Sequence, residues 1–372
     1  MHHPSFNIGI NEEYQIVDPT NGELVAFVSQ TMSDRTLALQ ERSSEFDLAE
    51  RIGSDILRTH MPPVRDIHEA RVNLVRTREK ILELAEQNGM RIIVAGTHPV
   101  SNWDKSAMPS LRYINLMSNP KMMVRRMLTF GLHVHIGLED RELSIDVMNA
   151  MRYLLPHMLT LSTSSPFWNG RNTGLKCYRK VLVDALPRSG IPGLFSSYQE
   201  YRDYVNTLVN TNCIPDPGKI YYDVIPHHRH QTLVIRICDV MPSINDTLAV
   251  VALIQAVVAW MVDLRRRNMT FRIYDRTLLN ENRWRALRYG LDGTLIDFGV
   301  EEEKPARDLI RELLTRIEPT AQKLNSLHEL DHIHTILERG SSADMQIDVW
   351  EAANQNPRAV IDYLIQETEK LA

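Results

Sequence analysis

The stretch Gly131-Leu132-His133-Val134-His135-Ile136-Gly137 places two histidines two residues apart in a run of apolar residues. Side chains two apart on a β-strand project from the same face, so His133 and His135 point the same way. Two imidazoles on one face can share a metal ion, or one can hold a metal and the other a substrate. Two hydrogen-bonded histidines on a half-buried strand would show the same pattern. The stretch predicts a strand at residues 128–138 with a polar face.

A second strand is predicted at residues 6–18, where Asn11 and Glu13 share one face and Glu12 takes the other. A carboxylate that faces inward from a strand usually has an ion partner or a metal. A solvated edge strand would also fit these residues. The pattern therefore makes Glu13 a candidate ligand that depends on its neighbours in the sheet.

A third strand is predicted within residues 222–240, where Arg236 interrupts an apolar run. A buried guanidinium needs an anion, either a protein carboxylate or a phosphate. Three histidines stand just before this run, at His227, His228 and His230. They fit either a metal-binding tract or a solvated turn.

Helical patterns surround these strands. They are expected at residues 65–87, 146–161, 247–267, 306–318 and 357–371. Pro319 is expected to end the fourth of them. Strands and helices do not alternate strictly, and the chain has no GxGxxG motif, Walker P-loop or internal repeat. These features predict an α+β fold with a largely antiparallel sheet, and the lack of a polar linker predicts a single domain over residues 1–372.

Composition limits the class of protein. The chain has 372 residues, 43% of them hydrophobic, and a net charge of −5, which argues against a broadly basic nucleic-acid binder. Three cysteines without metal-type spacing favour a reducing compartment. The first residues do not resemble a signal peptide, and the apolar run at 248–262 is short for a membrane span. We therefore expect a cytoplasmic protein with neither nucleic acid nor membrane as a partner.

Arginines cluster at residues 281–293, where Arg285 and Arg288 are at helical spacing and Arg283 lies half a turn away. Such a cluster in an acidic protein suggests a polyanion such as a nucleoside triphosphate. A solvated helix face with acidic partners four residues away is the alternative. The long segment at 164–193, rich in Gly, Pro, Ser and Arg, is typical of a functional loop.

Together these segments resemble the carboxylate–amine ligase family, the type 2 glutamate–cysteine ligases related in fold to glutamine synthetase. The resemblance covers nearly the whole chain. It is carried by residues 9–13, 96–99, 131–137, 164–168, 187–192, Arg236 with Asp239, and 281–293. It implies a curved, mainly antiparallel sheet that forms a glutamine-synthetase-like funnel covered by helices. It also implies that ATP activates a carboxylate as an acyl phosphate, from which an amine displaces phosphate.

The resemblance further implies a role for individual residues. Metal binding falls to Glu13 and His133. The residues implied to bind the nucleotide or phosphate are His135, Arg236, Arg283, Arg285 and Arg288, and Arg236 and Arg285 are the implied catalytic groups. Substrate contacts fall to Arg179, Arg188 and His98. ATP and Mg²⁺ are the implied cofactors, and a small-molecule amino acid or carboxylate and an amine are the implied substrates.

Several carboxylates of the family pattern are absent. Asn11 replaces the first Glu of the first strand, Val234 replaces a Glu two residues before Arg236, and Ser54 and Arg58 fall where the family has two Glu. Mg²⁺ takes hard oxygen ligands, which valine and arginine cannot supply. The acidic residues that could compensate are Glu12, Glu45, Asp47 and Asp55. We therefore expect a degraded magnesium site and weakened Mg·ATP binding.

Three functions remain open from the sequence. The first is an ATP-dependent ligase with a reduced metal set. The second is a repurposed amide hydrolase that uses a single transition-metal ion on Glu13, His133 and a histidine of the 227–230 tract. The third is a catalytically silent subunit that binds a ligand or pairs with an intact homologue. A homo-oligomer is expected, because the family commonly forms one and the 248–262 run offers much apolar surface.

Overall fold

The computed structural model describes residues 4–25, 56–59, 61–100 and 128–371. The strands are β1 (Ile8–Val17), β2 (Ile56–Arg58), β3 (Arg91–Ile93), β4 (Leu132–Gly137), β5 (Phe167–Trp168), β6 (Arg171–Asn172), β7 (Ser189–Gly190), β8 (Tyr221–Tyr222), β9 (Val224–Pro226), β10 (Thr232–Ile235), β11 (Thr294–Asp297) and β12 (Glu302–Pro305). The helices are α1 (Ile67–Gln87), α2 (Arg141–Met151), α3 (Leu155–Ser162), α4 (Arg179–Asp184), α5 (Tyr198–Asn210), α6 (Ile244–Arg266), α7 (Arg276–Tyr289), α8 (Ala306–Lys323), α9 (Leu327–Arg339), α10 (Ser342–Ala352) and α11 (Pro357–Glu369).

The main sheet has the strand order β2-β1-β4-β10-β9, and β3 pairs with the C-terminal part of β1. Its strand pairs are all antiparallel, as the sequence predicted. Its apolar face joins the core, where Ile10, Leu132 and Val134 are at most 1% exposed. Residues one position along each strand therefore project from the opposite face.

A buried ion pair holds β1 against α1. Arg78 donates to the two carboxylate oxygens of Glu12 at 2.7 and 3.1 Å and to the carbonyl oxygen of Met241 at 3.0 Å. Tyr14 donates its hydroxyl to the same carboxylate. Neither Glu12 nor Arg78 is more than 1% exposed. Glu12 is therefore committed to the helix side of the sheet.

The long apolar run lies in α6, which packs inside the core. By length and composition this helix could cross a membrane, but 83% of its most apolar window is buried within the fold. Residues 248–259 are at most 4% exposed. The apolar surface on which we based the expected homo-oligomer is thus used within the chain itself.

Several expected helix boundaries were wrong. The expected helix at 146–161 is two helices, α2 and α3, and Pro156 lies in the first turn of α3, where its missing N–H costs nothing. Pro319 does not end α8, which continues to Lys323. The segment at 164–193 contains α4 and short strands rather than only loop. Helices α5, α9 and α10 were not predicted.

Candidate active site on the polar face of the sheet

The face of the main sheet turned away from the apolar core carries Asn11, Glu13, His133, His135 and Arg236, which we call the polar face. Asn11 lies opposite His133 in the β1–β4 register. Arg236 extends the ladder just after β10, with its backbone N–H donating to the Asp223 carbonyl at 2.7 Å. Three neighbouring strands therefore bring together residues more than 200 positions apart, and within each strand the residues that share the face are those that the period-two pattern predicted.

Hydrogen bonds orient the side chains of the polar face. The Asn11 amide nitrogen lies 3.1 Å from His135 Nε2, and Thr232 Oγ1 lies 3.3 Å from His135 Nδ1. Glu13 Oε2 accepts the backbone N–H of Gly131 at 2.8 Å. His133 and His135 are half-buried, whereas Glu13 is only 6% exposed. The face thus presents two imidazoles beside a nearly buried carboxylate.

Arg179, on the first turn of α4, reaches this face from the segment that was expected to be loop. Its Nε donates to Asp239 at 2.6 Å. Asp239 is completely buried and also accepts from the backbone N–H of Ser164 at 2.9 Å and from the hydroxyl of Ser165 at 2.6 Å. Cys177 donates to it as well, and burial raises the pKa of that thiol. Asp239 therefore fixes both the position and the charge of Arg179.

Among the described residues, several positions where the family has metal-binding carboxylates hold other side chains. Val234 is completely buried and faces His135 across the β4–β10 pair. The backbone of Arg58 lies opposite that of Glu13 in the β1–β2 register. Glu12 is engaged by Arg78 on the other side of the sheet, so it supplies no ligand here. Ser54, Glu45, Asp47 and Asp55 lie outside the described residues.

Within residues 4–25, 56–59, 61–100 and 128–371, no three His, Cys, Asp or Glu side chains are grouped to hold a metal ion. His227, His228 and His230 lie in a turn in which the ring of His227 packs against the other two. His227 lies 4.7 Å from His230 and 5.5 Å from His135 between ring centroids. Burial, with His228 and His230 adding to it, lowers the pKa of His227 to about 3. That ring is therefore neutral in the folded protein at neutral pH.

The arginine cluster on α7 is neutralised by protein carboxylates. Arg283 donates to Asp223 at 2.8 Å and to both carboxylate oxygens of Asp184. Arg285 is paired with Glu281 at 3.2 Å and Glu303 at 2.9 Å. The Arg285–Glu281 pair is the four-residue contact that the sequence left open, whereas Arg283 is buried with carboxylates from distant segments. Neither contact presents these two guanidinium groups as a joint polyanion site.

The other expected contacts are dispersed. Arg288 is exposed and donates to the Gly174 carbonyl oxygen. Arg188 donates to the Lys219 carbonyl oxygen at 3.3 Å, outside the polar face. His98 is completely buried, and burial lowers its pKa to about 3. In this structure His98 therefore has no surface on which to receive a substrate.

Sequence reasoning missed a buried ion network at the edge of this face. Lys180 donates to Asp223, which also accepts from Arg283, and both lysine and aspartate are at most 1% exposed. Burial would raise the pKa of Asp223, but the two cations hold it below its ordinary value. The sequence signal was an isolated Asp before the apolar strand β9.

The fold matches that of two solved ligases. A glutamate–cysteine ligase from Francisella tularensis in complex with AMP matches with a TM-score of 0.66 and 13% identity, over 98% of this chain and 90% of that chain. A bifunctional glutathione synthetase from Pasteurella multocida matches with a TM-score of 0.68 and 13% identity, over 97% of this chain and 52% of that chain. The chain therefore shares the fold of these two ligases.

Sequence comparison specifies the family. The model of "Glutamate-cysteine ligase family 2" matches residues 7–361. Two similar proteins are both named "Putative glutamate--cysteine ligase 2". The protein from Herpetosiphon aurantiacus is 41% identical over 98% of this chain and 94% of its own length. The protein from Sorangium cellulosum is 43% identical over 98% of this chain and 96% of its own length. The chain belongs to glutamate–cysteine ligase family 2.

Proposed function

We propose that this protein is an ATP-dependent carboxylate–amine ligase of the glutamate–cysteine type that works with a reduced set of divalent ions. A substrate carboxylate oxygen attacks the γ-phosphorus of ATP, and ADP leaves. The amine nitrogen then attacks the acyl carbon, the bond to phosphate breaks, and the nitrogen loses a proton. Membership of the family supports the reaction class, and the AMP complex of the Francisella relative supports a nucleotide as the second substrate.

The observation that carries this proposal is the convergence of Glu13, His133, His135, Arg179 and Arg236 around one face of the sheet. Guanidinium groups bind the planar oxygens of carboxylates and phosphates. In our proposal Arg236 and His135 face the phosphate, while Arg179 orients a charged group of the substrate. No step is assigned to Mg²⁺, because the described residues do not form its cluster of oxygen ligands.

The alternatives lack a supporting observation. A single-ion hydrolase needs a third ligand beside Glu13 and His133, and the described part of the chain brings none together with them. His227 is hydrogen-bonded at Nδ1 by the backbone N–H groups of Arg229 and His230, at 3.3 and 2.9 Å. A silent subunit would form no amide in the assay below.

The test is incubation of the full chain with ATP, Mg²⁺ and panels of amino acids and amines. Phosphate release and the mass of the amide product are followed together. We expect amide only when ATP, acid and amine are all present, and we expect Arg236→Met to abolish it. Arg311→Met is the matched control, since Arg311 is 49% exposed and pairs with Asp308 on its own helix. Amide formation without ATP, or no amide with any pair, would refute the proposed function.

A further inference from the structure

The backbone of Gly131 marks a point where the two expected metal ligands and Arg179 meet. The Gly131 N–H is donated to Glu13. A Cβ placed on this glycine would lie 2.8 Å from Arg179 Nη1 and 3.5 Å from His133 Nε2. Only a residue without a side chain leaves room for this approach. A guanidinium nitrogen therefore lies beside the groups that the family resemblance assigned to a metal.

Arg179 is held there by the fold rather than by Glu13. Its Nε is bonded to Asp239, and its Nη2 donates to the carbonyl oxygens of Ile237 and Cys238 at 2.8 and 2.7 Å. The residue is only 4% exposed, and Nη1, the remaining guanidinium nitrogen, lies against Gly131. Burial would lower the pKa of Arg179, but Asp239 and, more weakly, Glu13 keep it above its ordinary value. Arg179 is thus a cation fixed through Nε and Nη2, with Nη1 at Gly131.

We propose that the Arg179 guanidinium takes the place of a divalent ion beside Glu13 and His133, and that Nη1 binds an oxyanion of the ligand without metal. The oxyanion is a phosphate of ATP or the carboxylate of an amino acid, since both offer a guanidinium two acceptor oxygens on one atom. Only the choice of these two ligands rests on the proposed function. The replacement of family carboxylates by Asn11 and Val234 agrees with this inference, because a guanidinium beside Glu13 needs fewer anionic neighbours than a group of divalent ions.

The experiment is titration calorimetry of the full chain in EDTA and again in excess Mg²⁺. Tripolyphosphate and ATP probe the phosphate site, and glutamate probes the carboxylate site. Arg179→Lys keeps the charge but loses the fork of donors. Gly131→Ala keeps every charge and fills the space at Nη1. Gly193→Ala is the matched control, because a Cβ there meets nothing within 4 Å.

We expect the wild-type chain to bind at least one probe in EDTA with about the affinity that it shows in Mg²⁺. Arg179→Lys and Gly131→Ala should each weaken that binding by about tenfold or more, because a charge-assisted hydrogen bond is lost, while Gly193→Ala leaves it unchanged. The probe that shows the loss identifies the oxyanion.

Binding that requires Mg²⁺, or binding in EDTA that both variants retain, would overturn the inference. Gly131→Ala and Arg179→Lys perturb the site differently, so misfolding of one, seen by circular dichroism, leaves the other as the test. The measurement needs no turnover. Metal-free binding without amide synthesis would therefore refute the proposed function alone, and amide synthesis with strictly Mg²⁺-dependent binding would refute this inference alone.

Discussion

Restoring two carboxylates to the polar face should make ATP binding depend on Mg²⁺. Asn11 lies opposite His133, and Val234 lies opposite His135. Neighbouring strands are about 4.8 Å apart, and residues two apart on one strand are separated by about 6.7 Å. The double variant N11E/V234E therefore adds one carboxylate about 6.7 Å along β1 from Glu13 and a second one beside His135, and Mg²⁺ takes carboxylate oxygens as ligands.

The magnitude follows from burial and charge. Val234 is 0% exposed, so V234E buries a carboxylate and should lower the free energy of unfolding by on the order of 3 kcal/mol in EDTA. Mg²⁺ should recover part of that loss by pairing with the new charge. In EDTA the added charges repel phosphate, whereas in Mg²⁺ they add ligands. We expect the ratio of the ATP dissociation constants in EDTA and Mg²⁺ to rise by about tenfold or more, or roughly 1.4 kcal/mol.

Calorimetric titration of ATP into the wild-type chain, N11E/V234E and the amide control N11Q/V234Q measures this ratio. The control has the same side-chain shapes without the charges, so its ratio should equal that of the wild type. R58E added to the double variant should raise the ratio further, since the backbone of Arg58 lies opposite that of Glu13 in the register. Tight, Mg²⁺-dependent ATP binding by the wild-type chain, with phosphate released on addition of an amino acid and an amine, would refute the reasoning.

Three further measurements test the fold. E12Q should lower the free energy of unfolding in urea by about 3–5 kcal/mol, because it leaves the buried Arg78 without its counter-ion. E69Q removes the charge from an exposed pair and should cost far less, and equal losses would contradict this prediction. Burial lowers the pKa of His157 to about 4, below its ordinary value of about 6.5. Between these two pH values the unfolded chain binds a proton at His157 and the folded chain does not, so stability should fall as the pH drops from about 6.5 towards 4. The urea midpoint plotted against pH should therefore have a shallower slope in H157N than in the wild type. An unchanged slope would show that His157 does not cause the pH dependence. Light scattering at micromolar concentration should give the mass of a homo-oligomer, a prediction that rests on the family resemblance alone because residues 248–259 are buried within the chain. A monomer mass would contradict it.

Local patterns were enough to predict the main strands and which residues share their faces. The alternation around His133 and around Glu13 is a property of a few consecutive residues, because strand geometry has a period of two. The helix at α1 was predicted for the same kind of reason, since its apolar residues recur at helical spacing. In the structure, Asp66 caps its first turn.

The partners of the charged residues followed from the tertiary structure alone. Arg283 looks like a phosphate ligand in the sequence, yet Asp184 and Asp223 lie about 100 and 60 residues away along the chain and neutralise it. Glu12 and Glu13 are adjacent, but one faces a buried arginine on α1 and the other the polar face. Sequence spacing carries no information about such distant pairs.

The course of α8 through Pro319 was likewise decided by packing. A proline removes one backbone hydrogen bond, and the apolar residues on either side of it are buried against the core, which outweighs that loss.

Arg179 is the clearest case for the site. Its sequence neighbourhood predicted a loop, whereas the bonds of Asp239 to four separate groups set its guanidinium beside Glu13. Periodicity is local and can be read along the chain, but the charge that a ligand meets depends on contacts between segments that only folding brings together.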